Sequence, residues 1–535
     1  MKASMGRQVG AIHALAVLLV LSISAAARLY QVTLPVMWGD EAFSIALSRL
    51  SPEQVVFHTA RDVHPPLYYL VLHFWMQWVG DGTLAIRSLS VWSGVATVGI
   101  GMWLTRLLSS WRAALMAGLL LALLPLAVRY SQEVRMYAML DCLLLMAACM
   151  LWLWVRTRQS GYLYCYALLM LSALYTHYFS IFCLLASWVY LLIAHCRKDN
   201  DHIKSRAWWL CNVAISFAFL PWLPVLYRQL QHRHLIVWIG DYDPSSFMTL
   251  PRSVWNLFTF SNDQPSVNWL YSDIHALLAT AVLAAAALLL VRKGAKSDAP
   301  AVLLLSYCLV PVVLVWLLSF AFPLYMDRYV LFALLGFPIV LAIALDDMPG
   351  KMRVLALTVC LTVEVLGLGT FYKIHSREDA DASGLDVVMA EVAKKRQVDD
   401  AVLVGGWRYF SAGYYNPTDR ELLLQTLDKA DTSGIEEHTY GAMTLLYQRS
   451  DQLYVADPLS LAQRYRRVWW ISDLDVSPLE RKLNESWTRV MEIRQGRIKA
   501  LLFTVPEKSK PYSTEHDQVV SGSKLSARAI CHIRE

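Results

Sequence analysis

Eleven apolar runs, each near the length that crosses about 30 Å of hydrocarbon, dominate the first 371 residues and restrict the chain to one broad class. They are Ala11–Ala27, Leu89–Leu107, Ala113–Val128, Met136–Val155, Tyr162–Tyr175, Phe179–Ala194, Trp208–Leu226, Ile274–Val291, Val302–Phe320, Tyr329–Leu345 and Val354–Phe371. With 56% hydrophobic and only 17% charged residues over 535 positions, the apolar surface exceeds what one soluble core would bury. The expected fold class is therefore an α-helical polytopic membrane protein. The first run follows Lys2 and Arg7 and has the look of a secretory signal, but Ala25–Ala27 is its only weak cleavage-like feature, so it is read as a retained first span.

A twelfth apolar stretch, Pro66–Val79, is short and rich in aromatics, and charge decides how to treat it. If it does not cross, the clusters Arg106/Arg112, Arg156/Arg158, Arg197/Lys198/Lys204/Arg206, Arg292/Lys293/Lys296 and Lys351/Arg353 all share the side of Lys2 and Arg7. If it crosses, all five fall opposite the N-terminus. The segment is accordingly expected to be an interfacial helix, with the N-terminus cytoplasmic in an inner (plasma) membrane. The same clustering accounts for the net charge of +6 without a nucleic-acid partner. Of the nine cysteines, seven lie within apolar runs and no metal-type pair spacing occurs, which argues against a disulfide framework.

This parity sends the polar motifs to one face. WGDEAF (38–43), DVHPP (62–66), RYSQEVRMY (129–137), THY (176–178), the long loop Tyr227–Tyr271 and YMDRY (325–329) are all expected outside. The membrane domain is expected over 1–371, with its principal outer loop at 28–87. An extracytoplasmic α/β domain is expected over 372–510, where a helical pattern at Leu385–Arg396 is followed by strand-like runs at Ala401–Gly406 and Arg467–Ser472 and a hairpin at Arg489–Val505 turning at Gln495 and Gly496. Residues 511–535 are polar and aperiodic, the composition of a disordered tail.

Asp40 and Glu41 follow the first span by about a dozen residues. Adjacent carboxylates repel one another, which is one way to prepare a general base; equally, both acids suit the first turn of a helix over AFSIALSRL. His64 precedes two prolines that stiffen the backbone and hold its imidazole at the interface. Arg129, Arg135 and Arg328 sit at outer span ends, where a guanidinium either grips a phosphate or snorkels. Near Arg135 stand Gln132, Glu133, Tyr137 and Asp141; His177 with Tyr175 and Tyr178 forms a further polar cluster, and Asp327 accompanies Arg328. His177, Tyr137, Tyr178 and Asp327 are additional cleft candidates, with plain packing the other reading of His177.

The succession of DE in the first outer loop, DVHPPLYY, SQEVRMYA and a late DRY before an apolar span resembles the bacterial membrane glycosyltransferases of the GT-C superfamily. Among these it is most similar to the polyprenyl-phosphate-sugar-dependent enzymes allied to protein O-mannosyltransferases and the lipid A aminoarabinose transferase. The likeness spans about residues 11–345. It implies that the acidic pair matched by Asp40 and Glu41 supplies the base that deprotonates the acceptor, and that His64 and Arg135 face the donor phosphate; Arg328 and Arg129 are further phosphate-binding candidates by their position at outer span ends. Where some members carry lysine, this chain carries His64.

The resemblance thus implies a hexosyl or pentosyl transferase. It would move a sugar from a polyprenyl-phosphate donor to an acceptor hydroxyl on a glycan, lipid or protein at the outer face, with inversion. No cofactor is expected, since a lipid monophosphate leaving group does not require one, although a divalent cation at Asp40/Glu41 is compatible with the family. Two other classes share the basic outer sites: a flippase or transporter of polyprenyl-linked lipids, and a non-catalytic envelope assembly protein. The outer carboxylates discriminate, because a flippase needs no base confined to one face.

Overall fold

The computed structural model describes residues 2–232, 247–260, 269–293, 299–322, 324–375, 383–418, 420–425, 441–446 and 450–506. Residues 233–246 and 261–268 of the long outer loop, and the tail expected at 511–535, lie outside the described residues. Among the described residues eight helices are long and apolar enough to cross a membrane: Ala11–Leu29, Thr83–Leu108, Tyr137–Thr157, Arg206–Gln231, Asp273–Val291, Pro300–Leu318, Asp327–Asp346 and Gly350–Ile374. The other three expected positions hold two shorter apolar helices, Ser160–Leu174 and Ser180–Cys196, and one bent pair.

That pair corrects the expected continuous run Ala113–Val128. Helix Trp111–Leu123 ends, and helix Pro125–Ser131 departs at 61°. The physical reason is Pro125, which has no N–H to continue the ladder and pushes Leu124 out of helical geometry to φ −62°, ψ 109°.

Helix Leu67–Val79 fits the interfacial expectation in its dimensions. Thirteen residues rise only about 20 Å, short of the hydrocarbon thickness. It buries Tyr68, Tyr69 and Leu72 while Trp78 stays 82% exposed. Its start is fixed by Leu67 N donating to Tyr175 O at 2.9 Å, so HisProPro is pinned beside the 175–179 turn. In the first loop, helix Gly39–Ser48 carries Asp40 and Glu41 in its first turn, and helix Pro52–Thr59 is capped by Ser51.

The C-terminal region forms a six-stranded sheet: β1 (Asp400–Gly405), β2 (Leu423–Gln425), β3 (Tyr454–Val455), β4 (Arg467–Asp473), β5 (Thr488–Gln495) and β6 (Ile498–Thr504). The order is β3-β2-β1-β4-β6-β5, with the first four strands parallel and β6 antiparallel to both β4 and β5. Alternate residues of β1, β4 and β6 face two separate cores. Val402, Trp469 and Leu502 pack against helix Leu385–Lys395, and Leu403, Trp470 and Leu501 share the other face with Leu483 of helix Pro478–Ser486. Covering both faces is what parallel strands require. Edge strand β5 is solvent-facing and carries Arg489, Glu492 and Arg494, which blunt it against further pairing. The β5–β6 turn uses Gly496 at φ +53°, where a Cβ would stand 2.4 Å from Ser383 O.

This sheet domain docks on the first outer loop. Met37 N donates to Tyr415 Oη at 2.9 Å, Phe43 and Phe410 meet edge to face at 5.6 Å, and Gly441 N donates to Arg61 O at 2.7 Å. The helix bearing the acidic pair is therefore clamped between the membrane helices and helix Tyr409–Tyr414.

Candidate active site

The two acids of WGDEAF have opposite fates. Glu41 is 1% exposed and accepts two hydrogen bonds from Arg87, Nε to Oε1 at 3.0 Å and Nη2 to Oε2 at 2.7 Å. Its Oε1 also accepts from Val134 N at 2.9 Å, while Arg87 Nη1 donates to the carbonyls of Val32 and Pro35. Glu41 thus ties the first loop, the start of helix Thr83–Leu108 and the 132–136 segment together. Asp40, one residue earlier and 100° around the helix, keeps a side chain 39% exposed.

Facing Asp40 is Arg135, 4% exposed, whose Nη2 lies 3.8 Å from Asp40 Oδ2. Arg135 Nη1 donates to Ser44 Oγ at 3.2 Å, which fixes the guanidinium against the same helix. Nε of Arg135 has no protein partner among the described residues. The separation is that of an ion pair without a tight hydrogen bond, so the carboxylate retains lone pairs for another donor.

His64 and His177 meet with ring centroids 5.7 Å apart, both within electrostatic reach of Arg135. Nδ1 of His64 lies 3.5 Å from Asp62 Oδ2. Burial holds His64 below the ordinary imidazole range, opposed by its hydrogen bond to Asp62 and reinforced by the Arg135 charge. His177 is pushed well below that range, by burial first and then by His64, Arg135 and Arg328. Its Nδ1 accepts from Phe179 N at 3.2 Å, which leaves Nε2 as the nitrogen that carries a proton. Tyr137 and Tyr329 pack beside His177 at 6.3 and 5.5 Å, and Arg328 stands over the rings of Trp38, Tyr137 and Tyr329 at 5.9, 6.0 and 5.3 Å. Asp40, Arg135, His64, His177, Tyr137 and Arg328 therefore form one cluster.

Other expected residues are engaged elsewhere. Arg129 pairs with Glu133 at 3.2 Å and lies over Phe260. Tyr178 donates to Gln229 Oε1 at 2.5 Å and accepts from Trp222 Nε1 at 2.8 Å. Asp327 accepts from Ser253 Oγ and Asn256 Nδ2, anchoring helix Thr249–Thr259. A divalent cation at Asp40/Glu41 finds a poor ligand set: Glu41 is buried and already neutralised by Arg87, which leaves Asp40 as the one carboxylate of the pair facing the cleft. Among the described residues no group of three or more His, Cys, Asp or Glu side chains could hold a metal ion.

Three site residues escaped the sequence reasoning. Asp62 was visible within DVHPP but was not singled out as the partner of His64. Tyr69 and Tyr137 both bury hydroxyls without a protein partner among the described residues, yet Tyr69, the last residue of the HPPLYY run, gave no polar signal of its own. Arg87 did carry a signal, a charge at the start of an apolar span, where an ionisable residue needs a partner.

The whole chain is similar in fold to solved structures of other proteins. ArnT from Cupriavidus metallidurans in the apo state superposes with a TM-score of 0.61 at 13% identity, covering 91% of this chain and 97% of that one. The same protein bound to undecaprenyl phosphate gives 0.58 at 14% identity with the same coverage. The Archaeoglobus fulgidus oligosaccharyltransferase in the apo form gives 0.52 at 11% identity, covering 87% of this chain and 70% of that one. The chain has the GT-C glycosyltransferase fold. Within it, residues 63–225 match the family model described as dolichyl-phosphate-mannose-protein mannosyltransferase. That segment of the GT-C fold contains His64, Arg87, Arg135 and His177, whereas Asp40 and Arg328 fall outside it. No curated protein matches the sequence.

Proposed function

We propose that this protein is a membrane glycosyltransferase that moves a hexosyl or pentosyl group from a polyprenyl-phosphate donor to an acceptor hydroxyl, with Asp40 as general base. The observation that carries this reading is the ion pair between a half-exposed Asp40 and a buried Arg135, set 3.8 Å apart, with two histidines within electrostatic reach of Arg135. The fold is shared with ArnT bound to undecaprenyl phosphate and with the archaeal oligosaccharyltransferase AglB from Archaeoglobus fulgidus in complex with an inhibitory peptide and a dolichol-phosphate, which supports a lipid-phosphate donor.

In this account the donor phosphate lies against Arg135, His64 and His177, with Arg328 contributing positive potential and Arg129 acting through Glu133. The acceptor hydroxyl approaches Asp40. Its oxygen attacks the anomeric carbon as the proton passes to Asp40, the bond from that carbon to the phosphate oxygen breaks, and the leaving phosphate keeps the electron pair. Attack opposite the leaving group inverts the anomeric centre. No step needs a metal.

The charge parity of the loops favours an inner-membrane protein with its N-terminus in the cytoplasm and the C-terminal domain and active site outside. The acceptor is a glycan, a lipid or a protein. Mass spectrometry of glycolipids and surface glycans from cells with and without the gene tests the reading: loss of a defined sugar decoration, with accumulation of its lipid-phosphate donor, is the expected result. Unchanged glycans with a lipid-linked sugar stranded on the cytoplasmic leaflet would replace it by a flippase.

A further inference from the structure

The bend between helices Trp111–Leu123 and Pro125–Ser131 leaves backbone groups that a membrane interior cannot hydrate. The helical partner of the Leu121 carbonyl would be the amide of residue 125, and a proline has none. One buried guanidinium takes the place of the missing amides. Arg28, 1% exposed, donates from Nη2 to Leu121 O at 3.3 Å and from Nη1 to Ala122 O at 3.0 Å. Nη1 is steadied by Ser24 Oγ at 2.8 Å, and Nε donates to Ser131 Oγ at 3.2 Å, at the far end of the short helix. Asp141 lines the same small cavity. The room for this arrangement comes from Gly94, where a Cβ would stand 2.2 Å from Ser131 Oγ and 2.7 Å from Arg28 Nε.

The short helix runs straight into the segment that carries the site. Gln132 Nε2 donates to the carbonyls of Arg28 at 2.9 Å and Tyr30 at 2.8 Å, Val134 N donates to Glu41 Oε1, and Arg135 follows. Arg28 therefore grips this path twice, through its side chain before the segment and through its backbone at Gln132. We propose that Arg28 is a positioning residue that holds the proline break closed and so sets where residues 132–135 present the Arg135 guanidinium to Asp40. Its effect on a ligand rests on the proposed function; its effect on the 132–135 backbone does not.

The test uses the full-length protein in detergent micelles and compares Arg28→Met, Arg28→Lys and Gly94→Ala with the parent. Amide hydrogen exchange over 132–136 and affinity for undecaprenyl phosphate are read in each, and affinity again with Arg135→Ala added. Arg28→Met should speed exchange at 132–136 about tenfold or more while helix Ser160–Leu174 exchanges as in the parent. Affinity should fall about tenfold, yet by less than about twofold once Arg135 is already alanine, because both changes act through one contact. Arg28→Lys should restore part of the loss. Gly94→Ala, which displaces the guanidinium without deleting it, should reproduce the exchange change should Arg28→Met fail to fold. Unchanged exchange at 132–136 in the folded variants, or affinity losses that multiply in the double variant, would overturn the inference. Should undecaprenyl phosphate fail to bind the parent, the functional reading falls, and the exchange comparison alone decides the role of Arg28.

Discussion

Glu41 and Arg87 face each other through two hydrogen bonds of 3.0 and 2.7 Å, both side chains 1% exposed. Taking two charges out of water is compensated only while both are present, and deleting one partner of a buried pair costs about 3–5 kcal/mol. Glu41→Gln and Arg87→Met should therefore each lower the thermal midpoint, and the double variant should lose less than the sum. The folded fraction of Glu41→Gln should still transfer sugar. Thermal melts and a transfer assay on the purified variants check both statements; a stable but inactive Glu41→Gln would move the base from Asp40 to Glu41.

Arg135 differs from its neighbours in facing the open side of Asp40 with a buried guanidinium. Arg135→Ala should weaken binding of a lipid phosphate and slow transfer together, by about 2–5 kcal/mol in combined effect, as for a truncated desolvated charge pair. Arg135→Lys should recover only part, because an ammonium lacks the planar fork. Equilibrium binding of undecaprenyl phosphate, measured beside turnover, separates the two effects, and an alanine variant with full affinity would reduce Arg135 to a snorkelling residue.

The histidines predict two pH slopes of opposite sign. His64 and His177 are both held below the ordinary imidazole value by burial, so the unfolded chain binds more protons than the native state as pH falls through that value, about 6.5. Their contribution is fully present above it and is lost as pH falls toward their native values. Thermal stability should thus decline from pH 7 to pH 5, less steeply in His177→Gln. Affinity for a lipid phosphodiester should rise over the same interval, since protonated His64 meets the anion, and His64→Lys should flatten that rise. Affinity independent of pH in the parent would remove His64 from the phosphate.

The topology proposed from the loop charges has Lys198 in the cytoplasm and Lys373 outside. Reporter fusions after these residues should give opposite signals. The same signal from both would require an odd number of crossings to be gained or lost between them, and the active face would change side.

Much of this architecture was legible because a membrane makes sequence patterns strict. Apolar runs mark spans, and the short aromatic stretch after HisProPro is too brief for one. The helix at Leu385, the strands beginning near Ala401 and Arg467, and the final hairpin follow from periodicity. Strands Leu423–Gln425 and Tyr454–Val455 did not, being two or three residues long with their pairing set entirely by the neighbouring strand. The site divided in the same way. Asp40, His64 and Arg135 stood out as polar groups grouped beside spans, whereas the separate fate of Glu41 depended on Arg87, 46 residues away. The role of Arg28 depended on carbonyls freed by Pro125, a contact between two helices that no local pattern encodes. The docking of the C-terminal domain on the helix of the acidic pair through Phe43 and Phe410 was equally invisible.

The central claim is that Asp40 takes the acceptor proton, and the most direct measurement is sugar transfer from a purified polyprenyl-phosphate donor in liposomes by Asp40→Asn. Asparagine keeps the size and most hydrogen bonding of the carboxylate but cannot accept the proton. Turnover should fall by about 10²–10⁴, the usual worth of a general base, while the thermal midpoint and the affinity for undecaprenyl phosphate stay near those of the parent. An Asp40→Asn protein that turns over like the parent would contradict the mechanism.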